Sequence, residues 1–383
     1  MIVKFERNGL SAKFKLPCSD AEMFEKMQSV GVSDPTDTVF HIQTVASTAS
    51  ELSRLNDSEA DLDHLNLLSR LMDGMFGSEF EQFRAALCYT QASSVQDIVN
   101  LTQNLGNYTL IKNDESLEQA GLQHYLDQHG CITDSEKRKY DFAAMARKLI
   151  ASGDGYETPY GMVYDNGMKI NRFFNGENIP MYYDRDFLCV YEAHANDKTE
   201  YLVLPCDEIS IIKAAHRLGV TDISACSLSI EDVELTNFSF RNFLDNHLDA
   251  SVYELNMLAS AISEIDNQDV EKLMAVFDYV QAVDSNPGDD VTVLIRLAEN
   301  IDSFEYAPGA TDTEELGKYL IQASEHYAYD PELEDYYDYE ALGADKFDAQ
   351  DGRFIESGYV GISDDIQLYE ILDGGNHQMG GIE

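Results

Sequence analysis

The sequence has no tryptophan, 8 prolines in 383 residues, and 26 Lys and Arg against 70 Asp and Glu, a formal net charge of −44. So few bases argue against direct binding to nucleic acid, since duplex affinity comes largely from Lys and Arg on phosphates. The one dense basic run, Lys137-Arg138-Lys139, is too short to line a groove and reads as a solvated helix start. No stretch approaches the ~18 consecutive apolar residues of a membrane span. The opening Met1-Ile2-Val3-Lys4-Phe5-Glu6-Arg7 lacks the apolar centre of a secretion signal, so a cytoplasmic protein is expected. Six scattered cysteines (Cys18, Cys88, Cys131, Cys189, Cys206, Cys226) form no C-x-x-C pair. Reduced thiols are therefore expected, rather than a disulfide framework or a zinc site.

Catalytic signatures are also missing. There is no G-x-S-x-G, no G-x-x-x-x-G-K-[ST], no H-E-x-x-H and no dinucleotide fingerprint between strand and helix. The histidines are isolated; His124 and His129 stand five apart, a poor helical spacing for a shared metal. Asp345–Gly358 superficially suggests a calcium loop with Asp351-Gly352 at its fifth and sixth positions. Phe347, Ala349 and Gly358 would then fill positions that need oxygen ligands, which rules it out. Acid pairs such as Asp289-Asp290 and Asp364-Asp365 say nothing about acid–base catalysis in so acidic a chain. A non-enzyme without metal or cofactor is expected.

What the chain does hold is apolar content for real cores, 44% hydrophobic and 10% aromatic, and a length suited to two or three domains. It also repeats itself. Leu16-Pro17-Cys18 leads through a polar helix to Val30-Gly31-Val32-Ser33-Asp34, and Leu204-Pro205-Cys206 leads to Leu218-Gly219-Val220-Thr221-Asp222, both at an offset of 188. Leu65-Asn66-Leu67-Leu68 matches Leu255-Asn256-Met257-Leu258 at 190, and His124-Tyr125-Leu126 stands against Lys318-Tyr319-Leu320 at 194. Tyr140-Asp141-Phe142 and Asp154-Gly155 match Tyr337-Asp338-Tyr339 and Asp351-Gly352 at 197. Ordered matches with a slowly growing offset read as a tandem duplication.

Each copy reads as an elongated α+β module. A hairpin around Asn8-Gly9, or around Asn196-Asp197, opens a small antiparallel sheet and helix unit. Apolar residues at spacings of three and four over Leu62–Leu87 and Tyr253–Val283 predict a helical unit. A C-terminal α+β unit closes on strands near Gly161–Tyr164 and Tyr359–Ile362. The expected boundaries are 1–50, 51–93 and 94–176 for the first copy, a linker at 177–184, then 185–250, 251–288 and 289–383.

The copies differ in charge. Residues 1–190 carry 28 acids and 17 bases, a net of −11, whereas 191–383 carry 42 and 9, a net of −33. The contrast sharpens in the last units: 101–165 has a net of −4 and 297–365 a net of −16. Because both copies share a pattern, the fold itself is not expected to require the charge. Salt adaptation would acidify both alike. Self-repulsion of this size opposes compaction, and imitation of a polyanion supplies a reason for it. B-DNA carries one charge per ~1.7 Å, so 44 charges correspond to roughly 22 base pairs.

The closing units resemble the ArdA family of antirestriction proteins, through Tyr140-Asp141-Phe142-Ala143-Ala144-Met145-Ala146-Arg147-Lys148-Leu149 and through Tyr336-Tyr337-Asp338-Tyr339-Glu340-Ala341-Leu342 followed by Gly358-Tyr359. Ala143, Lys148 and Ala344 depart from the family pattern, and the usual member is about half this length. The resemblance implies an elongated, non-enzymatic DNA mimic of mobile-element origin. It would occupy the DNA-binding groove of a restriction–modification enzyme, type I foremost, as a monomeric pseudo-dimer or a homodimer. The acids expected to face that partner are Asp312, Glu314, Glu315, Asp330, Glu332, Glu334, Asp335, Asp338, Glu340, Asp348 and Asp351. The alternative is an acidic adaptor or scaffold for another basic, DNA-associated protein.

Overall fold

The computed structural model describes residues 1–180, 187–234, 237–266, 269–284, 287–324, 329–350, 352–363 and 366–373. In chain order its elements are β1 (Ile2–Arg7), β2 (Leu10–Lys15), α1 (Asp20–Gln28), β3 (Val39–Ala46), β4 (Ser58–Asp61), α2 (Leu62–Asp73), α3 (Ser78–Thr90), α4 (Val95–Thr102), β5 (Tyr108–Ile111), α5 (Leu117–His129), α6 (Asp134–Lys139), α7 (Phe142–Ala151), β6 (Tyr156–Thr158) and β7 (Gly161–Asp165). They continue as β8 (Cys189–Ala195), β9 (Lys198–Leu204), α8 (Glu208–Leu218), β10 (Ser227–Val233), α9 (Phe238–Asn246), α10 (Val252–Ser263), α11 (Asp269–Val283), α12 (Asp290–Glu299), β11 (Phe304–Pro308), α13 (Thr313–Gln322), α14 (Tyr339–Ala349), β12 (Arg353–Ile355), β13 (Gly358–Ile362) and α15 (Leu368–Leu372). The class is α+β, built on four small sheets with strand orders β2-β1-β3-β4, β5-β7-β6, β10-β8-β9 and β11-β13-β12.

Two compact units emerge. One holds Met1–Asp186, Ala193–Tyr201 and Asp207–Cys226; the other holds Phe187–Glu192, Leu202–Cys206 and Ser227–Glu383. The core of the first runs from Val3, Phe5, Phe14 and Leu16 on the opening sheet to Leu65, Leu68, Phe83, Ile98 and Val99 on its helices. Phe5 meets Phe14 and Phe40 edge to face at 5.4 and 4.8 Å, filling the pleat between three strands. In the second unit Ala307, Ala310, Leu316, Leu320 and Tyr359 pack together beneath the closing sheet.

The hairpins form where the sequence places left-handed residues. Asn8 and Gly9 have φ of 54° and 77°, and Asn196 and Asp197 have 51° and 59°, which suits two-residue turns. Helices start on side-chain caps that satisfy backbone N–H groups left free at their first turn. Ser19 accepts from Glu22, Ser116 from Gln119 and Ser251 from Glu254, each in a reciprocal capping box.

Both halves repeat two local devices. Asn66 accepts from Cys18 N–H at 3.1 Å and donates to Cys18 O at 2.9 Å, pinning α2 to the strand end. Asn256 does the same to Cys206 at 2.8 and 2.9 Å. Further along, a Cβ on Gly121 would fall 1.8 Å from the carbonyl oxygen of Phe142, and one on Gly317 would fall 1.9 Å from that of Tyr339. Only glycine lets α5 approach α7, and α13 approach α14, so closely.

Several sequence expectations need correction. Each helical unit holds two helices, a break that the apolar spacing does not mark: α2 stops before Gly74 and α3 begins after Gly77, whose φ is 53°. Likewise α10 ends at Ser263 and α11 starts at Asp269. Counted from the caps Ser116 and Asp312, α5 and α13 lie at an offset of 196. The sequence pairing of Tyr125 with Tyr319 at 194 is therefore two residues out of step. The apolar Tyr-Leu dipeptide recurs by coincidence of composition, while the close-packed glycine marks the true register. Of the expected linker at 177–184, residues 181–184 lie outside the described residues.

Candidate functional site: the acidic surface around α13 and α14

The acids expected to face a partner surround one pair of helices. Thr313–Gln322 and Tyr339–Ala349 pack through Gly317 and Gly343, where a Cβ on Gly343 would fall 1.8 Å from Thr313 O. With backbones this close, the inner faces carry Leu316, Leu320 and Tyr339, and the carboxylates are left outside. Asp312, Glu314, Glu315, Asp330, Glu332, Asp338, Glu340 and Asp348 are exposed, and Glu334 is half-buried. Asp351 and the Asp335 side chain lie outside the described residues.

Between the helices a short 3-10 turn, Pro331–Tyr336, carries Glu332 and Glu334. Tyrosines hold it. The rings of Tyr329 and Tyr337 lie 6.0 Å apart and those of Tyr337 and Tyr339 5.7 Å. The Tyr329 hydroxyl donates to Glu334, and Asp330 N–H donates to the Tyr337 hydroxyl at 3.1 Å. Gln322 donates to both Glu334, at 3.1 Å, and the Tyr339 hydroxyl, at 3.1 Å. The bond to Glu334 pushes the Tyr329 phenol up to about 12, because ionising it would set two anions side by side. In the opposite direction, the Thr311 hydroxyl and N–H hold the Glu315 carboxyl below its ordinary value.

Cations do little to neutralise this surface. Lys318 pairs with Glu314 at 2.7 Å, one helical turn away, and both are exposed. Lys346 is drawn to Glu305 at 2.7 Å, and Arg353 donates to the Ala282 carbonyl at 3.2 Å. Among the described residues Asp312, Asp330, Glu332, Asp338, Glu340 and Asp348 have no basic side chain in ion-pair range, so their charge is presented to solvent.

Some of the charge is nonetheless used by the fold, contrary to expectation. Asp312 caps α13 by accepting from Glu315 N–H at 2.9 Å, Asp338 caps α14 through Ala341 N–H at 3.1 Å, and Asp330 caps the 3-10 turn through Glu332 N–H at 2.9 Å. The first half shows which part is dispensable. Its cap at the place of Asp312 is the neutral Ser116, whereas Asp141 takes the place of Asp338. Sequence reading overlooked one further acid: Asp345 is exposed on α14, three residues before Asp348, a spacing that puts both on one helical face.

The corresponding part of the first half carries the opposite sign. Lys137, Arg138 and Lys139 end α6, and Arg147 and Lys148 lie on α7, all exposed. At the offset of 197 these positions hold Glu334, Asp335, Tyr336, Ala344 and Asp345 in the second half. No group of three or more His, Cys, Asp or Glu among the described residues is arranged to hold a metal ion. No helix in them is long and apolar enough to cross a membrane.

Residues 196–361 match the family model described as antirestriction protein (ArdA). That stretch contains α13, the tyrosine-held turn and α14, and it is assigned to the ArdA family, whose general function is antirestriction. No curated protein matches the chain.

Proposed function

We propose that the protein is an antirestriction inhibitor whose acidic surface around α13 and α14 replaces the phosphates of DNA in the binding groove of a restriction–modification enzyme, type I foremost. The observation that carries this reading is the set of exposed carboxylates without cationic partners, lying inside the stretch that matches the antirestriction family. A groove built to read phosphates holds Lys and Arg in rows, and it binds DNA largely by releasing the counterions of the polyanion. Carboxylates fixed on two tightly packed helices meet such a groove already ordered, so little side-chain and loop entropy is lost on binding. Tandem duplication supplies the scaffold: the twin asparagine pins and the twin glycine contacts recur, while charge has diverged on the outside.

The test is competition. The full-length protein should displace a labelled duplex from the methyltransferase core of a type I enzyme, and its inhibition should fall steeply as salt rises. Substituting Glu332→Gln, Glu340→Gln and Asp348→Asn together should weaken inhibition by about tenfold, and each alone by much less, because a distributed field has no single dominant residue. Displacement that is indifferent to salt, or abolished by one substitution with the fold intact, would refute the reading in favour of a specific pocket.

A further inference from the structure

A second charged assembly is buried, wholly within the first compact unit. Lys213 on α8 is 1% exposed, and its Nζ lies 2.8 Å from Asp20 Oδ1 on α1 and 2.5 Å from Asp63 Oδ1 at the start of α2. One turn on, Arg217 donates from Nη1 to Asp63 Oδ2 at 3.3 Å and from Nε to Glu200 Oε2 on β9 at 2.9 Å. Two contacts at the helix starts complete the joint. Asp207, the cap of α8, accepts from Ala21 N–H at 3.1 Å, and Ser210 Oγ donates to Asp20 at 2.7 Å.

Burial works against the charged form of every member. It pushes the Asp63 and Glu200 carboxyls up despite their cations. At Asp20 and Lys213 it is outweighed: Lys213 and Ser210 hold Asp20 below its ordinary value, and the two aspartates hold Lys213 above its own. Such an assembly is a weak source of stability but a strong source of specificity, since removing one partner strands another charge.

The cations of the joint come from α8 alone, and two of its three carboxylates come from the first half. At the offset of 188, Lys213 stands where α1 has Glu25, Arg217 where it has Ser29, and Glu208 where it has Asp20. The first half thus brings Asp20 and Asp63 to the joint, and α8 brings Lys213 and Arg217. Packing α1 against a second α1 would bury those aspartates with no cation. Packing α8 against a second α8 would offer Lys213 only Glu208, at the place of Asp20, because Tyr253 stands at the place of Asp63 at the offset of 190. Only the unlike pairing gives Lys213 two carboxylates and Asp63 two cations.

We propose that this ionic joint determines how the two halves pair: it docks α8 onto α1 and α2 of its own chain in preference to like-with-like association between chains. The protein is then complete as a monomer. The inference rests on reading the halves as repeats and is independent of what the acidic surface binds.

Sedimentation of the full chain should give a single 43.0 kDa species at every concentration tried. Amide exchange followed by mass spectrometry tests the joint itself. Lys213→Glu should accelerate exchange about tenfold or more across Met23–Met27 and Ile211–Leu218 while β1 and β3 keep their protection. Adding Asp20→Lys to that variant should restore much of the protection. Should Lys213→Glu fail to fold, the milder Asp20→Asn should still accelerate exchange at both helix starts severalfold. A wild-type dimer, unchanged exchange in α1 and α8 of the variants, or uniform acceleration that Asp20→Lys does not rescue would each overturn the proposal. None of these readouts requires a restriction enzyme, so the joint can fail while the inhibitor reading stands, or the reverse.

Discussion

Asp312 shows how one carboxylate serves both fold and surface. Its oxygen caps α13 and its charge remains exposed, and Ser116 fills the same cap without charge. Asp312→Ser should therefore leave thermal stability within about 0.5 kcal/mol of the parent, whereas Asp312→Ala should cost ~1 kcal/mol. Both remove the same charge, so both should weaken DNA displacement equally. Chemical denaturation separates the two effects. Tyr160 offers a second residue-scale prediction. Burial and the hydrogen bond to Glu51 at 2.6 Å push its phenol up to about 12. The unfolded chain ionises that phenol near pH ~10, before the folded one does, so the stability this phenol contributes is constant below that pH and drains away above it. Tyr160→Phe should lose the bond to Glu51 at pH 8 but narrow the difference in stability between pH 8 and pH 11. A difference left as wide as in the parent would sink this account.

At the scale of elements, the paired helices depend on glycine. Gly317→Ala must push α13 away from the Tyr339 carbonyl, and Gly121→Ala must push α5 from that of Phe142. Each should cost at least about 2 kcal/mol in urea denaturation, and for Gly317 the loss should fall in the unit that carries the acidic surface. A cost near zero would mean that the helices separate freely. Elements with strong local chemistry were legible in the sequence: the Asn8-Gly9 and Asn196-Asp197 hairpins, and the strands near Gly161–Tyr164 and Tyr359–Ile362. Three-residue strands such as β6 and β12 were not, because their identity comes from pairing with β7 and β13 rather than from any pattern of their own. The break inside each helical unit was not legible either. Apolar spacing persists across Gly74–Gly77 even though the chain turns there.

For the whole molecule, charge could be read from composition but its local use could not. The carboxylates around α13 and α14 stood out by number, and eight of them are exposed. That three also cap helices or a turn follows from backbone geometry that a count cannot see. The buried joint was invisible for the opposite reason: Lys213 and Arg217 look like ordinary surface bases of a polar helix, and only tertiary packing brings Asp20, Asp63 and Glu200 to them. Sequence separation hides such contacts, since Asp20 and Lys213 are 193 residues apart.

The exchange of Ser116 for Asp312 at one cap suggests how such a protein could acquire anions gradually. A carboxylate at a helix start sits at the positive end of the backbone dipole, so it enters the scaffold without straining it. Ser19, Ser94, Ser116 and Thr133 are open to the same replacement. Helix starts are therefore the natural handholds for anyone wishing to re-engineer the first half toward the electrical character of the second.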